Sequence, residues 1–254
     1  MNRVVLLAAL ALAPLAAHAQ SEQQQLVDRA TLAAQDMLND RDGRDAQYVL
    51  KRARAVMICP QVFKAGFLFG GQGGSCVLVA RDAAGSWSAP AFYGLGGGSI
   101  GFQAGIQDAE VMLMIMSDKG LSAIMDSQFK LGADASATFV DLGGGIEGAT
   151  TAALRADIVG FTRARGLYAG VSLSGSLLSS KSDWNAAYYG RPAAAQQIVL
   201  GMEATNPAAD PLRQVLIQYG RQAEAVSPPA LPPPVSPQPR SAPIQQQPLG
   251  APRR

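Results

Sequence analysis

The sequence predicts an α+β domain in which helices frame a glycine-rich block of strands. Three observations carry this. Of 27 glycines, 22 fall between Gly66 and Gly175. From Ser99 to Ile106 the residues alternate, with Ile100, Phe102, Ala104 and Ile106 on one face and Ser99, Gly101, Gln103 and Gly105 on the other. That period of two is a strand signal. Helical spacing of apolar residues, by contrast, concentrates before Ala55 and after Ser182.

The centre of the block is Phe92 to Met116. From Val111 to Met116 every residue is apolar, as in a strand covered on both faces. The whole stretch reads as one long, bent strand central to a sheet. Its bare glycine face either receives a closely packed neighbour or forms a ligand surface.

Less than the full 254 residues belongs to this domain. Met1 to Ala19 reads as a secretory signal, with Arg3, the apolar run Val4 to Ala16, and an Ala17-His18-Ala19 cleavage pattern before Gln20. Ser227 to Arg254 holds ten of the 16 prolines and no Asp or Glu, so it reads as an extended tail. About 205 residues remain between Gln20 and Ala225, enough for one domain with a good core.

The leader bears on the chemistry. The sole histidine, His18, lies in it, so the mature chain has none. Histidine-dependent catalytic groups and histidine metal sites are thereby excluded. Cys59 and Cys76 enter an oxidising compartment. A disulfide between them and two buried thiols both fit the sequence, and a bond closing so short a loop contributes on the order of 3 kcal/mol. Of 21 Lys and Arg, one lies in the leader and three in the tail, leaving 17 against 19 acidic residues. This balance gives no argument for nucleic acid, so anion binding has to come from a local cluster.

In chain order, Ser21 to Leu38 is predicted helical from Leu26, Ala30, Ala33 and Met37. Ala46 to Arg54 is a second helix, and its Lys51, Arg52 and Arg54 form a basic stretch with Arg44. That stretch is either a solvated face or a contact for anionic headgroups. Ala55 to Cys59 is a short buried strand ended by Pro60, with a turn to Gly66. Phe67 to Ala80 is a strand, Asp82 to Gly85 a turn, and Ser86 to Pro90 extended. After the long strand, Asp118 to Met125 is a helix capped by Ser117 or Asp118. Phe129 to Val140, Ala156 to Arg165 and Leu167 to Leu178 read as strands. Helices follow over Asp183 to Tyr189, capped by Ser182 or Asp183, then Ala193 to Leu200 and Pro211 to Tyr219, with Gly220 as the stop.

Several motifs lack the context their chemistry needs. Gly96-x-Gly98-x-x-Gly101 runs into a strand rather than a helix, and Gly143-x-Gly145-x-x-Gly148 lacks a clear βαβ unit. Ser127-x-x-Lys130 has no accompanying K-T-G element. Asp108 and Glu110 lie two apart on one strand face. They either form a carboxylate pair or mark where the strand leaves solvent. No cofactor, metal or catalytic group is expected.

The segment Ala55-Val-Met-Ile-Cys-Pro-Gln-Val-Phe-Lys-Ala-Gly-Phe67 resembles the SYLF, or Ysc84, family. The same resemblance continues in order through Gly85 to Pro90, Val111 to Asp118, Leu131 to Ser136, Arg163 to Gly175 and Asn185 to Gly190. It covers about residues 26 to 220. It implies an α+β fold: a long bent, mainly antiparallel sheet surrounded by about six helices. It also implies a non-enzymatic phospholipid-binding module; eukaryotic members bind phosphoinositides and some bind actin. The chain departs from the family at Cys59, where a large apolar residue is usual, and in its leader.

An exported bacterial protein meets anionic phospholipid or lipopolysaccharide rather than actin. The expectation is therefore a periplasmic or secreted domain, residues 20 to 225, that contacts anionic headgroups through Lys51, Arg52, Lys64, Arg163 and Arg165. The proline-rich tail, 226 to 254, offers a second kind of contact, with a protein partner. The N-terminal amphipathic helix either engages the membrane or packs on the sheet.

Overall fold

A computed structural model describes residues 21–39, 43–66, 69–100, 105–125, 128–142, 155–166, 173 and 175–221. The expected leader and tail lie outside these residues, as do Ser127, the 143–148 glycine motif and most of 167–174.

The described residues form six α-helices and eight strands. The helices are α1 (Glu22–Asn39), α2 (Arg44–Leu50), α3 (Asp118–Met125), α4 (Ser182–Tyr189), α5 (Ala195–Val199) and α6 (Asp210–Gly220). The strands are β1 (Ala55–Gly66), β2 (Phe69–Ala80), β3 (Ala91–Ile100), β4 (Gly105–Ile115), β5 (Gln128–Lys130), β6 (Ala137–Asp141), β7 (Ile158–Gly166) and β8 (Leu177–Ser180). They make one sheet in the order β5-β8-β3-β2-β1-β4-β7-β6. Only β6 and β7 pair in parallel; the other pairs are antiparallel. This is the expected α+β class.

Alternation in the central strands produces two cores. Val56, Ile58, Val77, Val79, Phe92, Met112 and Met114 face α1, α2 and α6. Met57, Cys59, Cys76, Leu78, Tyr93, Val111 and Leu113 face α3 and α5. Both faces of β1 over Ala55–Cys59 and of β4 over Val111–Ile115 are therefore dry, and each fully buried Leu, Ile or Met contributes about 1.5–3 kcal/mol. Helix α1 buries Leu26, Ala30, Ala34, Met37 and Leu38 against the sheet and α6. Of the two roles expected for this helix, the structure shows packing.

The single long strand of the sequence reading is two strands. β3 and β4 are separated in the sheet by the β1–β2 pair, with Ile100 opposite Phe69 and Gly105 opposite Gly66. The alternation carries no mark of the reversal, because both strands keep a period of two. A second correction concerns Pro60, which does not end β1. The register slips there, between Cys59 and Val62 against β4 and between Ile58 and Gln61 against β2. A residue without an N–H is tolerated in a central strand at such a bulge.

The strand expected over Phe129 to Val140 splits into β5 and β6, at opposite edges of the sheet. Gly175 adopts φ +84° in a turn before β8 rather than a strand position. Lys181 precedes α4 without a side-chain cap, so neither Ser182 nor Asp183 caps it. Ser117 does cap α3, its Oγ accepting from Gly120 N at 3.0 Å. The Ser117 hydroxyl also donates to Asp157 (2.6 Å), and Ser136 donates to the same carboxylate (2.8 Å).

Candidate functional site

The five basic residues singled out in the sequence lie at two ends of the sheet. Lys51 and Arg52 follow α2, just before β1 begins. Lys64 lies at the other end of β1, nine residues beyond Ala55 and so about 30 Å away. Arg163 and Arg165 sit at the same end as Lys64, on β7, with β4 between them and β1. The structure thus puts Lys64, Arg163 and Arg165 at one end of the sheet, Lys64 on one face and the two β7 positions on the other by register, and sets Lys51 and Arg52 apart.

Their surroundings differ. The Arg52 guanidinium lies 3.8 Å from the centre of the Tyr48 ring on α2, the helix it follows. Arg54 pairs with Asp118 at 2.7 Å. Arg163 faces Glu110 across the β4–β7 ladder, with Nη1 3.9 Å from Oε2. Arg165 stands opposite Asp108 in the same register; its side chain lies outside the described ones. Asp108 Oδ2 accepts from Gln61 Nε2 at 3.1 Å. Asp108 and Glu110 each therefore meet a side chain from a neighbouring strand.

Lys64 is on the opposite face of the sheet from these carboxylates. It alternates with Phe63, which pairs in register with Asp108. Lys64 itself is opposite Gln107 on β4 and Gln72 on β2, and the row continues to Gly97 on β3. Directly opposed side chains in such a row have Cβ atoms about 5 Å apart. Gln107 is only 2% exposed. Its Nε2 is buried without a hydrogen-bond partner, as is Gln72 Oε1. Gln72 Nε2 donates to Ser176 Oγ at 2.5 Å. Gly97 makes room for this pair: a Cβ there would stand 3.1 Å from Gln72 Nε2 and 3.2 Å from Ser176 Oγ. Among the described residues, Lys64 has no ion-pair partner within reach.

The sequence reading chose Lys64 but missed Gln72 and Gln107. Their one signal was a long amide side chain among glycines and apolar residues on strands. Cys59 and Cys76 are bonded beside the bulge, with an S–S distance of 1.97 Å, and tie β1 to β2. Elsewhere, a cleft of about 270 Å³ is lined in part by Trp87, Thr205, Asn206 and Arg213. Its arginine is already engaged by Trp87 O (2.8 Å) and Asp210 (2.9 Å).

Fold and site together define an α+β domain whose eight-stranded sheet lies between helical layers and carries charged and polar rows at one end. The family model Ysc84, described as Las17-binding protein actin regulator, matches residues 96–219. The chain belongs to this family, also called SYLF. It is 34% identical over 172 residues to protein YSC84 of Saccharomyces cerevisiae, covering 66% of this chain and 36% of that protein. LAS seventeen-binding protein 3 of the same species is 34% identical over 171 residues, covering 66% of this chain and 37% of that protein. SH3 domain-containing YSC84-like protein 1 of Homo sapiens is 30% identical over 191 residues, 74% of this chain and 56% of that protein. The chain therefore spans between about a third and just over half of the curated relatives it matches. No solved structure matches it significantly.

Proposed function

We propose that this chain is a non-enzymatic phospholipid-binding module of a bacterial cell envelope, exported by its leader and contacting anionic headgroups. The observation that carries the reading is that Lys64, Arg163 and Arg165 all lie at one end of the sheet, Lys64 on one face and the β7 positions on the other. Family membership supports it. The family's description speaks of actin regulation and Las17 binding, but a chain sent out of a bacterial cytoplasm would meet neither.

Magnitudes narrow the mechanism. A basic residue near an anionic surface contributes about 1 kcal/mol. Three of them approach only about 3 kcal/mol, and Glu110 offsets Arg163. General attraction alone gives weak binding, so a built contact at Lys64 has to supply the remainder.

The two basic groups supply the test. Co-sedimentation with vesicles containing phosphatidylglycerol is expected to fall when Lys64, Arg163 and Arg165 are changed together to Gln. It is expected to hold when Lys51 and Arg52 are changed instead. The reverse pattern would move the contact to the α2 end. Equal binding by all three proteins would remove the headgroup role of these residues.

A second reading, an envelope scaffold, is favoured by the composition of the tail, since ten of the 16 prolines fall between Ser227 and Arg254. Deleting residues 227–254 would then abolish capture of a protein partner and leave vesicle binding unchanged. Capture that ignores the deletion counts against it.

A further inference from the structure

We infer that the row Gln107–Lys64–Gln72 is a binding site for a phosphate ester that carries a hydroxyl group. This rests on the headgroup reading above and names the atoms that would perform it.

The two amides are the starting point. Buried polar groups without partners are rare in native proteins, because each forfeits its hydrogen bonds to water. Here Gln107 Nε2 and Gln72 Oε1 are both in that state, and they flank the same lysine on one face of three adjacent strands. Lys64 is partly exposed, so the row opens to solvent at its cation. Asp108 and Glu110 alternate to the other face. They therefore leave the Lys64 ammonium available to an external anion.

The donor set selects the ligand. Lys64 Nζ and Gln107 Nε2 donate to phosphate oxygens, a charge-assisted arrangement. Gln72, fixed through its Nε2 on Ser176, presents Oε1 to a hydroxyl on the same molecule. A carboxylate has no hydroxyl for that acceptor, and inorganic phosphate offers only the P–OH on the group that Lys64 and Gln107 hold, with Gln72 two strands away from Gln107. A glycerophosphate group satisfies all three positions. Phospholipid headgroups and soluble glycerol phosphate share this chemistry.

The chain from residue 20 to 254 is titrated calorimetrically with sn-glycerol 3-phosphate, with inorganic phosphate and with phosphatidylglycerol vesicles. Lys64→Met, Gln107→Leu and the remote control Arg52→Gln are compared with the parent. Glycerol phosphate is expected to bind more tightly than inorganic phosphate. Lys64→Met and Gln107→Leu are each expected to weaken it by about ten-fold or more, the loss of a charge-assisted hydrogen bond, and Arg52→Gln to leave it unchanged. Gln107→Leu is also expected to keep or raise Tm, since it removes an unpartnered amide; a merely structural glutamine would lower it.

Lys64→Met, at a partly exposed position, keeps the test alive if Gln107→Leu fails to fold. If glycerol phosphate binds and vesicles do not, the site stands as one for a soluble ester and the membrane reading falls. If vesicles bind but neither variant weakens them, the site is overturned while the headgroup reading survives. If the parent binds none of the three, both fall.

Discussion

Arg81 Nη2 donates to the carbonyl oxygen of Gly220, the last residue of α6, over 3.0 Å. Through Nη1 the same guanidinium donates to Lys51 O just beyond α2, at 3.1 Å. It lies over the Trp87 ring, 4.5 Å from its centre. One cation thus closes the C-terminal ends of two helices, where the peptide dipoles are negative. Burial pushes its pKa below the ordinary arginine value, yet an arginine stays charged at neutral pH.

Replacing Arg81 by Gln is expected to destabilise the domain by about 2–3 kcal/mol, the range for hydrogen bonds to a charged group. Urea unfolding measures it. Arg81→Lys should recover only part of the loss, because a point charge cannot span both helix ends. An unchanged midpoint for Arg81→Gln would mean that the helix ends are held by other contacts.

The bulge at Pro60 makes a prediction about glycine. A Cβ at Gly74 would stand 2.5 Å from the Gln61 carbonyl oxygen, a backbone atom that cannot swing aside. Gly71 lies on the same strand, and a Cβ there meets nothing within 4 Å. Gly74→Ala should therefore cost about 2 kcal/mol, as overpacking does. Gly71→Ala should stay within about 0.5 kcal/mol of the parent. Equal effects in thermal unfolding would contradict the bulge geometry.

Asp157 gives the pH dependence. Hydrogen bonds from Ser117 and then Ser136 hold its carboxyl below the usual aspartate range, with Lys119 adding a smaller pull. A depressed folded pKa contributes stability that is present above the unfolded value, about 3.9. That stability is lost as pH falls through the folded value. Tm should therefore drop on acidification below about pH 4, and Asp157→Asn should flatten that limb while lowering Tm at neutral pH. A parallel acid limb in the variant would assign the acid sensitivity to other carboxylates.

The Cys59–Cys76 bond joins residues 17 apart. A loop of that length predicts a loss of about 3 kcal/mol when both cysteines are changed to Ala. Denaturant unfolding of the double variant, and of the parent under reductant, should give the same shift. A parent indifferent to reductant would show that the crosslink adds little to the strand pairing.

Legibility followed the range of the interactions. All six helices were readable, because 3.6-residue spacing is local: Leu26, Ala30, Ala33 and Met37 mark α1 unaided. The α+β class followed from the same counting. Strand connectivity was not readable in the same way. The β3–β4 reversal and the passage of β1 through Pro60 are fixed by partners far along the chain, such as Gly66 opposite Gly105. The candidate site shows both cases. Lys64 stood out by its charge, whereas Gln107 and Gln72 gain meaning only from the register that sets them on either side of it.

The proposed function stands or falls on whether the domain recognises anionic phospholipid. The most direct test is the affinity of residues 20–254 for vesicles of phosphatidylcholine containing increasing fractions of phosphatidylglycerol, at low and at physiological salt. Binding is expected to rise with the anionic fraction and to weaken as salt screens the surface. Equal binding to neutral and anionic vesicles at low salt would contradict it.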